Sequence, residues 1–148
     1  MPTISRGVMT KYWLCVVNEE NWRIVKEKLV WGVSDRYKRK MEELEEGDFL
    51  AFYVRPKKLG GIFKAASKPY VDKKPIFSSE GFRTGEVFPN RVKIEPVLVP
   101  EEPVPFEPLI GRLKFIRNKE KWTGHLRGAM RQIPEEDFEV LREALGGR

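Results

Sequence analysis

KYWLCVV, residues 11–17, is apolar on both of the faces that alternate along a β-strand. A strand with one face in water alternates apolar with polar residues, whereas a strand covered on both faces does not. The stretch therefore predicts a barrel strand that is packed from inside and outside. DFLAFYVR, residues 48–55, shows the same pattern and predicts a second strand of this kind.

Two helices are predicted between these strands. Asn18 is expected to cap the first, because its side chain accepts a hydrogen bond from a free backbone N–H. The apolar stripe of this helix consists of Trp22, Val25 and Leu29. Trp31-Gly32-Val33 breaks the pattern, and Ser34 starts a second helix that Gly47 ends. The inward residues of the second helix are Tyr37, Met41 and Leu44.

The rest of the chain predicts further strands and one long loop. Lys58-Leu59-Gly60-Gly61 is typical of a turn, and residues 62–71 predict the returning strand. Residues 72–90 predict a loop, and long loops in compact domains are often functional. Residues 91–99 alternate as another strand, which Pro96 places at an edge or a bulge. Residues 113–116 predict one more short strand.

The final helix is predicted from Pro134, a residue that favours the first helical position. Its buried stripe consists of Phe138, Leu141 and Leu145. About five to six strands with short helices between them predict an α+β fold, a mixed β-barrel flanked by helices. The length of 148 residues fits one domain, residues 10–148, after an extension of residues 1–9. Met9 is an alternative start.

Charge points to a polyanionic partner. The net charge is +6 and the pI is near 9.5, which favours nucleic acid, although a basic surface also serves solubility. Residues 111–131 hold seven basic side chains against Glu120, and residues 55–74 are similarly basic. The candidate phosphate contacts are Arg112, Lys114, Arg117, Lys119, Lys121 and Arg127. Trp122 lies among them, where it would either stack on a base or plug the barrel.

The residues disfavour enzyme chemistry. Nucleophilic catalysis needs a nucleophile and a base, but Cys15 and His125 are the single cysteine and histidine, and Cys15 lies within an apolar strand. One histidine without a Cys-x-x-Cys pair predicts no metal site, and no phosphate-binding glycine loop or cofactor motif occurs. A lone cysteine, with no signal peptide or membrane span, predicts a cytoplasmic protein with no membrane partner.

Four segments together carry a resemblance to a known family. They are YWLCVVN (12–18), WGVSDRY (31–37), GDFLAFY (47–53) and GGIFKAAS (60–67). In this order they resemble the opening of an EVE domain, a member of the PUA-like superfamily that is related to YTH domains. KWTGHLRG (121–128) resembles a branch of standalone EVE-like proteins. The resemblance covers nearly the whole chain.

The resemblance implies a pocket for a nucleic-acid base. YTH domains read N6-methyladenine in RNA with a tryptophan cage and with an asparagine that follows the first strand. Asn18 matches that asparagine, and Trp31 lies near the first cage position. A second cage aromatic would come from the loop of residues 72–90. The candidate pocket residues are Asn18, Trp31, Ser34, Tyr37, Phe77 and Phe82.

The leading hypothesis is a non-enzymatic domain that holds a base, a modified one, in an aromatic pocket while basic flanks contact phosphates. Its partner would be RNA or DNA, and the domain would be a monomer or weak homodimer without a cofactor. Two alternatives stay open. One is an RNA-processing or nuclease-type enzyme that uses carboxylates or His125. The other is a module that binds a small ligand or a protein.

Overall fold

The chain folds as a curled half-barrel sheet with helices on both faces. The computed structural model describes residues 10–79, 85–126 and 128–146. Within them the strands are β1 (Tyr12–Val17), β2 (Val30–Val33), β3 (Phe49–Val54), β4 (Lys58–Ala65), β5 (Tyr70–Val71), β6 (Asn90–Leu98), β7 (Val104–Pro105) and β8 (Met130–Ile133). The helices are α1 (Glu19–Lys28), α2 (Lys38–Glu43) and α3 (Glu135–Ala144). Three 3-10 turns cover Asp35–Tyr37, Glu107–Arg112 and Trp122–Leu126.

The order of the sheet leaves β2 and β8 at its two ends. The sequence of paired strands is β2-β6-β4-β3-β1-β8, with β5 beside β6 and β7 beside β4. β1 and β3 run parallel, with Leu14 opposite Ala51, and the other pairs are antiparallel. No helix in the described ranges is long and apolar enough to cross a membrane.

Each face of the sheet carries its own hydrophobic core, as the pattern of residues 11–17 predicts. Trp13, Cys15 and Val17 point to one side, where α1 adds Trp22 and Val25. Leu14 points to the other side, where α3 supplies Phe138 and Leu141 and the residue after it, Leu145, joins them. Because a strand alternates its side chains between two faces, a continuous apolar run fills two cores at once. The predicted α+β barrel class is confirmed, and the described residues form eight strands instead of five or six.

Two buried carboxylates tie the connections to the sheet. Asp48 is 2% exposed and accepts hydrogen bonds from the indole Nε1 of Trp13 and from the backbone N–H groups of Lys11 and Glu45, each at 3.0 Å. Asp137 accepts from the backbone N–H groups of Lys114 and Phe115, each at 2.9 Å. A buried carboxylate is tolerated when its lone pairs are filled in this way.

Several predicted elements are wrong. Trp31 does not lie at a helix break but in β2, where it pairs with Val92 of β6. Leu29 is 38% exposed, because it takes a left-handed conformation (φ 57°) that ends α1 and turns its side chain out of the stripe. The predicted turn at residues 58–61 belongs to β4, and residues 113–116 form no strand. The pattern missed three of the described strands, β2, β7 and β8.

The remaining helical predictions are confirmed only in part, because α2 ends at Glu43 instead of Gly47 and Pro134 precedes the first residue of α3. Asn18 caps α1, since its Oδ1 accepts from the backbone N–H of Asn21 at 2.8 Å. The second helical segment is a 3-10 turn that continues into α2, and both of its aliphatic inward residues, Met41 and Leu44, are buried. Gly146 follows α3 with φ 94°, a conformation that glycine adopts without strain.

Candidate functional site

A large cavity lies beside β2, the strand at one end of the sheet. Its volume is about 560 Å³, within the range of about 300–1,000 Å³ that is usual for small-ligand sites. One wall comes from β2 and the turn after it, and the opposite wall comes from the end of β1 and from residues 128–129 before β8. The loop between β5 and β6 closes a third side with Phe77, Glu86 and Phe88. The incomplete closure of the barrel therefore creates the cavity.

The structure brings together the predicted pocket residues that it describes. Asn18, Trp31, Ser34, Tyr37 and Phe77 all line this cavity. Phe82 lies outside the described residues. These side chains come from three separate segments of the chain, residue 18, residues 31–37 and residue 77, and only the curvature of the sheet places them around one space. Their role in binding a base stays a prediction.

Asn18 has one free hydrogen-bonding group at the cavity. Its Oδ1 is occupied by the cap of α1, as described above. Its Nδ2 makes no hydrogen bond to any part of the chain that the structure describes. An amide nitrogen carries two N–H donors. Asn18 can therefore cap the helix and donate to a ligand at the same time.

Trp31 forms part of the cavity wall but offers little surface for stacking. It is 2% exposed and meets the ring of Phe52 edge-on, with ring centroids 5.6 Å apart. The rings of Tyr37 and Phe77 are only half-buried and border the same space. Stacking on a flat ligand thus falls to Tyr37 and Phe77, and Trp31 closes the cavity against the core.

Arg91 holds the loop that carries Phe77. Its guanidinium is buried, with Nε donating to the Phe88 carbonyl at 3.0 Å and Nη2 donating to the carbonyls of Val87, at 2.8 Å, and Lys74. The guanidinium carbon also lies 5.3 Å from the centroid of the Phe77 ring. Burial lowers the pKa of Arg91, and Asp72, whose Oδ2 is 3.7 Å from Nη1, opposes that shift.

Asn21 makes a second attachment of the same loop. Its side chain accepts from the backbone N–H of Ser78 at 2.7 Å and donates to the carbonyl of Ser78 at 3.1 Å. Sequence reasoning missed both Asn21 and Arg91. An arginine inside the apolar pattern of residues 91–99 was the one available signal, because a buried guanidinium requires several acceptors.

Gly32 allows the loop to approach β2. A Cβ atom at this position would lie 2.6 Å from the Phe88 carbonyl oxygen, 2.9 Å from Cγ of Arg91 and 3.2 Å from Cε2 of Phe77. The first two distances are shorter than any ordinary carbon contact. The glycine of the WGVSDRY segment is therefore needed for close packing of the loop.

Charges around the cavity are balanced. Asp35 accepts from Nδ2 of Asn90 at 2.9 Å, and Glu86 accepts from the backbone N–H of Phe88 at 2.8 Å. Arg36 and Arg55 line the same cavity and are exposed. Two acids with two bases suit an uncharged ligand that bears hydrogen-bonding groups, and the two arginines remain available to a charged group at the entrance.

Some of the predicted phosphate contacts already bind acids or backbone carbonyls, and others are exposed. None of those that the structure describes lines the cavity. Arg112 pairs with Glu143 at 3.0 Å, and Lys114 pairs with Glu136 at 2.8 Å. Lys119 donates from Nζ to two backbone carbonyls, at 3.1 and 2.7 Å. The remaining exposed cations are Arg117 and Lys121, whereas Arg127 lies outside the described residues. A phosphate role for this set stays a prediction.

The residues that the sequence offered for catalysis or stacking, Cys15, Trp122 and His125, each take part in packing or in a hydrogen bond within the fold. Cys15 is fully buried, and burial raises the pKa of its thiol well above the usual value. Trp122 is 6% exposed and stacks on Phe106 with centroids 5.7 Å apart, so it plugs the core. His125 accepts from the backbone N–H of Asn118 at 3.1 Å through Nε2. Among the described side chains, no three metal-ligating groups converge.

Comparison with known proteins identifies the family of this chain. The model of the EVE domain matches residues 11–144. The chain belongs to the EVE domain family. A UPF0310 protein of Pyrococcus abyssi is 46% identical over 144 residues, which are 90% of this chain and 99% of that protein. The predicted EVE resemblance is confirmed.

Solved YTH domains share the fold of this EVE protein. The Pho92 YTH domain in complex with m6A superposes with a TM-score of 0.66 at 11% identity, covering 100% of this chain and 90% of that one. The YTH domain of mmi1 in a complex with RNA gives 0.66 at 9% identity, covering 92% and 81%. At such low identity the likeness concerns the fold alone.

Proposed function

We propose that this EVE protein binds nucleic acid without altering it and holds one base, a modified one, in the cavity between β2 and the end of β1. The observation that carries the proposal is the combination of half-buried Tyr37 and Phe77 with the free Nδ2 of Asn18 in one cavity. The YTH domains that share the fold were solved with RNA or m6A, which supports a base as the occupant.

The cavity suits a flat heterocycle. Aromatic rings bind any base through its π-face, at about 1–3 kcal/mol per base. Asn18 would then donate from Nδ2 to an acceptor on the edge of the base. Asp35 and Glu86 each retain carboxylate lone pairs that can accept from an amino group of the base. In a site shielded from water an unmatched edge is penalised, so these polar groups would discriminate between bases.

Phosphates would bind outside the cavity. Arg36 and Arg55 are exposed at its lining, and the exposed Arg117 and Lys121 belong to the basic stretch. Contacts with phosphates release counterions, so affinity for an oligonucleotide should fall as salt rises. Binding of a nucleoside, which has no phosphate, should respond little to salt.

Asn18→Ser tests the base-binding role separately from the helix cap. Serine keeps a side-chain oxygen for the Asn21 N–H but lacks the amide donor, so the helix should remain capped. We expect the variant to keep its melting temperature and to lose about tenfold in preference among a panel of unmodified and methylated nucleosides, measured by calorimetry. Asn18→Ala, which removes both groups, is the matched comparison. An unchanged preference in Asn18→Ser would refute the assignment.

The same samples separate the alternative functions. A nuclease or RNA-processing enzyme would shorten a labelled oligonucleotide in the presence of divalent metal ions, whereas a binding domain returns it intact. A small-ligand module would bind a nucleoside as tightly as the oligonucleotide that contains it. A protein-interaction module would bind neither of them.

A further inference from the structure

Two smaller cavities continue from the base cavity along β8. The first, of about 310 Å³, shares Val16 and Gly128 with the base cavity. The second, of about 440 Å³, shares His125 and Arg131 with the first. We call these two spaces the Arg131 cleft, because Arg131 lies in the wall between them.

Cations surround the Arg131 cleft, and no acid lines it among the described residues. Lys40 of α2 borders one space, and Arg117 and Lys114 border the other. Lys114 is engaged with Glu136. The nearest buried acid is Asp137, whose two oxygens already accept from backbone N–H groups. The net charge at the cleft is therefore positive.

The guanidinium of Arg131 is held in place but has no acceptor. Its carbon lies 4.7 Å from the centroid of the Phe115 ring. Nε is shielded from solvent and has no hydrogen-bond partner in the described part of the chain. The terminal nitrogens likewise make no hydrogen bond or ion pair there, although they are not fully enclosed. A buried N–H without an acceptor is unfavourable, because it has lost its hydrogen bonds to water and gained none in the protein.

We propose that the Arg131 cleft is a phosphate-binding site, distinct from the base cavity, in which Arg131 binds a phosphate oxygen and Lys40 and Arg117 add positive charge. Arginine matches the geometry of phosphate oxygens with its fork of N–H donors, and its contact with Phe115 fixes the fork beforehand. Burial and the nearby Arg117 both lower the pKa of Arg131, as expected where a cation lacks a full counter-charge, and Asp137 opposes them.

The source of the phosphate follows from position. Because the cleft adjoins the base cavity, the sugar–phosphate backbone on one side of a bound base can enter it. The assignment of the phosphate to a nucleic-acid backbone rests on the proposed function. The assignment of the cleft as a phosphate-binding site does not depend on it. A free phosphate compound would satisfy the same donors.

Arg131→Gln tests the site, because glutamine keeps a planar polar end but removes the charge. The probes are inorganic pyrophosphate, a single-stranded abasic oligonucleotide and a panel of free nucleosides. We expect binding of pyrophosphate and of the abasic strand to weaken about tenfold. The slope of log affinity against log salt for the strand should flatten by about 0.7, the value for one phosphate contact. Nucleoside binding should not change.

Arg23→Gln is the matched control, since Arg23 is an exposed arginine on α1 and lines none of the three cavities. Lys40→Gln removes a second cation from the cleft at an exposed position, so the test does not depend on the folding of one variant. Unchanged pyrophosphate affinity and salt slope in both Arg131→Gln and Lys40→Gln, relative to Arg23→Gln, would overturn the proposal. Loss of pyrophosphate binding with an unchanged strand slope would support a site for a free phosphate compound. Failure of nucleosides to bind would refute the base cavity alone.

Discussion

Gly32→Ala should damage the base cavity without removing any polar side chain that lines it. The added Cβ would stand 2.6 Å from the carbonyl oxygen of Phe88, and an ordinary contact begins near 3.4 Å, so the loop must shift by about 0.8 Å. The backbone of Gly32 is not left-handed, so the effect is steric. The shifted segment includes the carbonyl that Arg91 binds and the ring of Phe77. Movement of these groups would widen the cavity and weaken stacking.

Forced contacts of this kind in a packed interior destabilise a protein by about 1–3 kcal/mol. With a denaturant slope of about 2 kcal/mol per molar urea, a loss of 2 kcal/mol lowers the unfolding midpoint by about 1 M. Urea titration followed by tryptophan fluorescence measures this change. Nucleoside affinity of the folded variant, measured by calorimetry, should also fall by about tenfold, as loss of one stacking contact implies.

Gly111→Ala is the control, because a Cβ at Gly111 would meet no atom within 4 Å. It should leave both the midpoint and nucleoside affinity unchanged. If Gly32→Ala gave the same midpoint and affinity as Gly111→Ala, the loop would not rest on β2 as described. The inferred link between the glycine and the cavity would then be wrong.

Two further predictions concern residues outside the cavity. Cys15→Ala should lower the free energy of unfolding by about 1 kcal/mol and leave nucleic-acid binding intact, because the thiol is core packing. In the unaltered protein the raised pKa and burial of Cys15 should make its labelling by a thiol reagent at pH 8 as slow as unfolding; rapid labelling would contradict this. Lys119→Gln should reduce stability in a urea titration with little change in the salt slope of oligonucleotide binding, since its Nζ is bound to backbone carbonyls. Arg117→Gln, at an exposed position, should leave stability unchanged and flatten the salt slope of oligonucleotide binding. Equal salt slopes in the two variants would show that Arg117 and Lys119 do not differ in phosphate binding.

The sequence alone predicted those elements whose hydrogen-bond partners are close along the chain. It also predicted the strands that are buried on both faces. KYWLCVV predicted a strand covered on both faces, and the structure places Cys15 and Leu14 in the two separate cores. Asn18 predicted the cap of α1 because a cap requires only the next turn of the chain. The stripe of α3 follows from periodicity alone. The family resemblance gathered the pocket candidates without showing their geometry.

Only the tertiary structure decided which of the candidate pocket residues expose a ring to the cavity. Trp31 became a strand residue because β6, distant along the chain, supplies its backbone partners, and the same packing encloses its ring. Arg91 is buried because a loop wraps its carbonyls around the guanidinium, an arrangement with no local pattern in sequence. The cavity itself exists because the curl of the sheet brings β2 near the end of β1 and residues 128–129. The curvature of the sheet and the pairing of distant strands depend on contacts between segments far apart in the sequence. A short stretch of residues therefore cannot predict them.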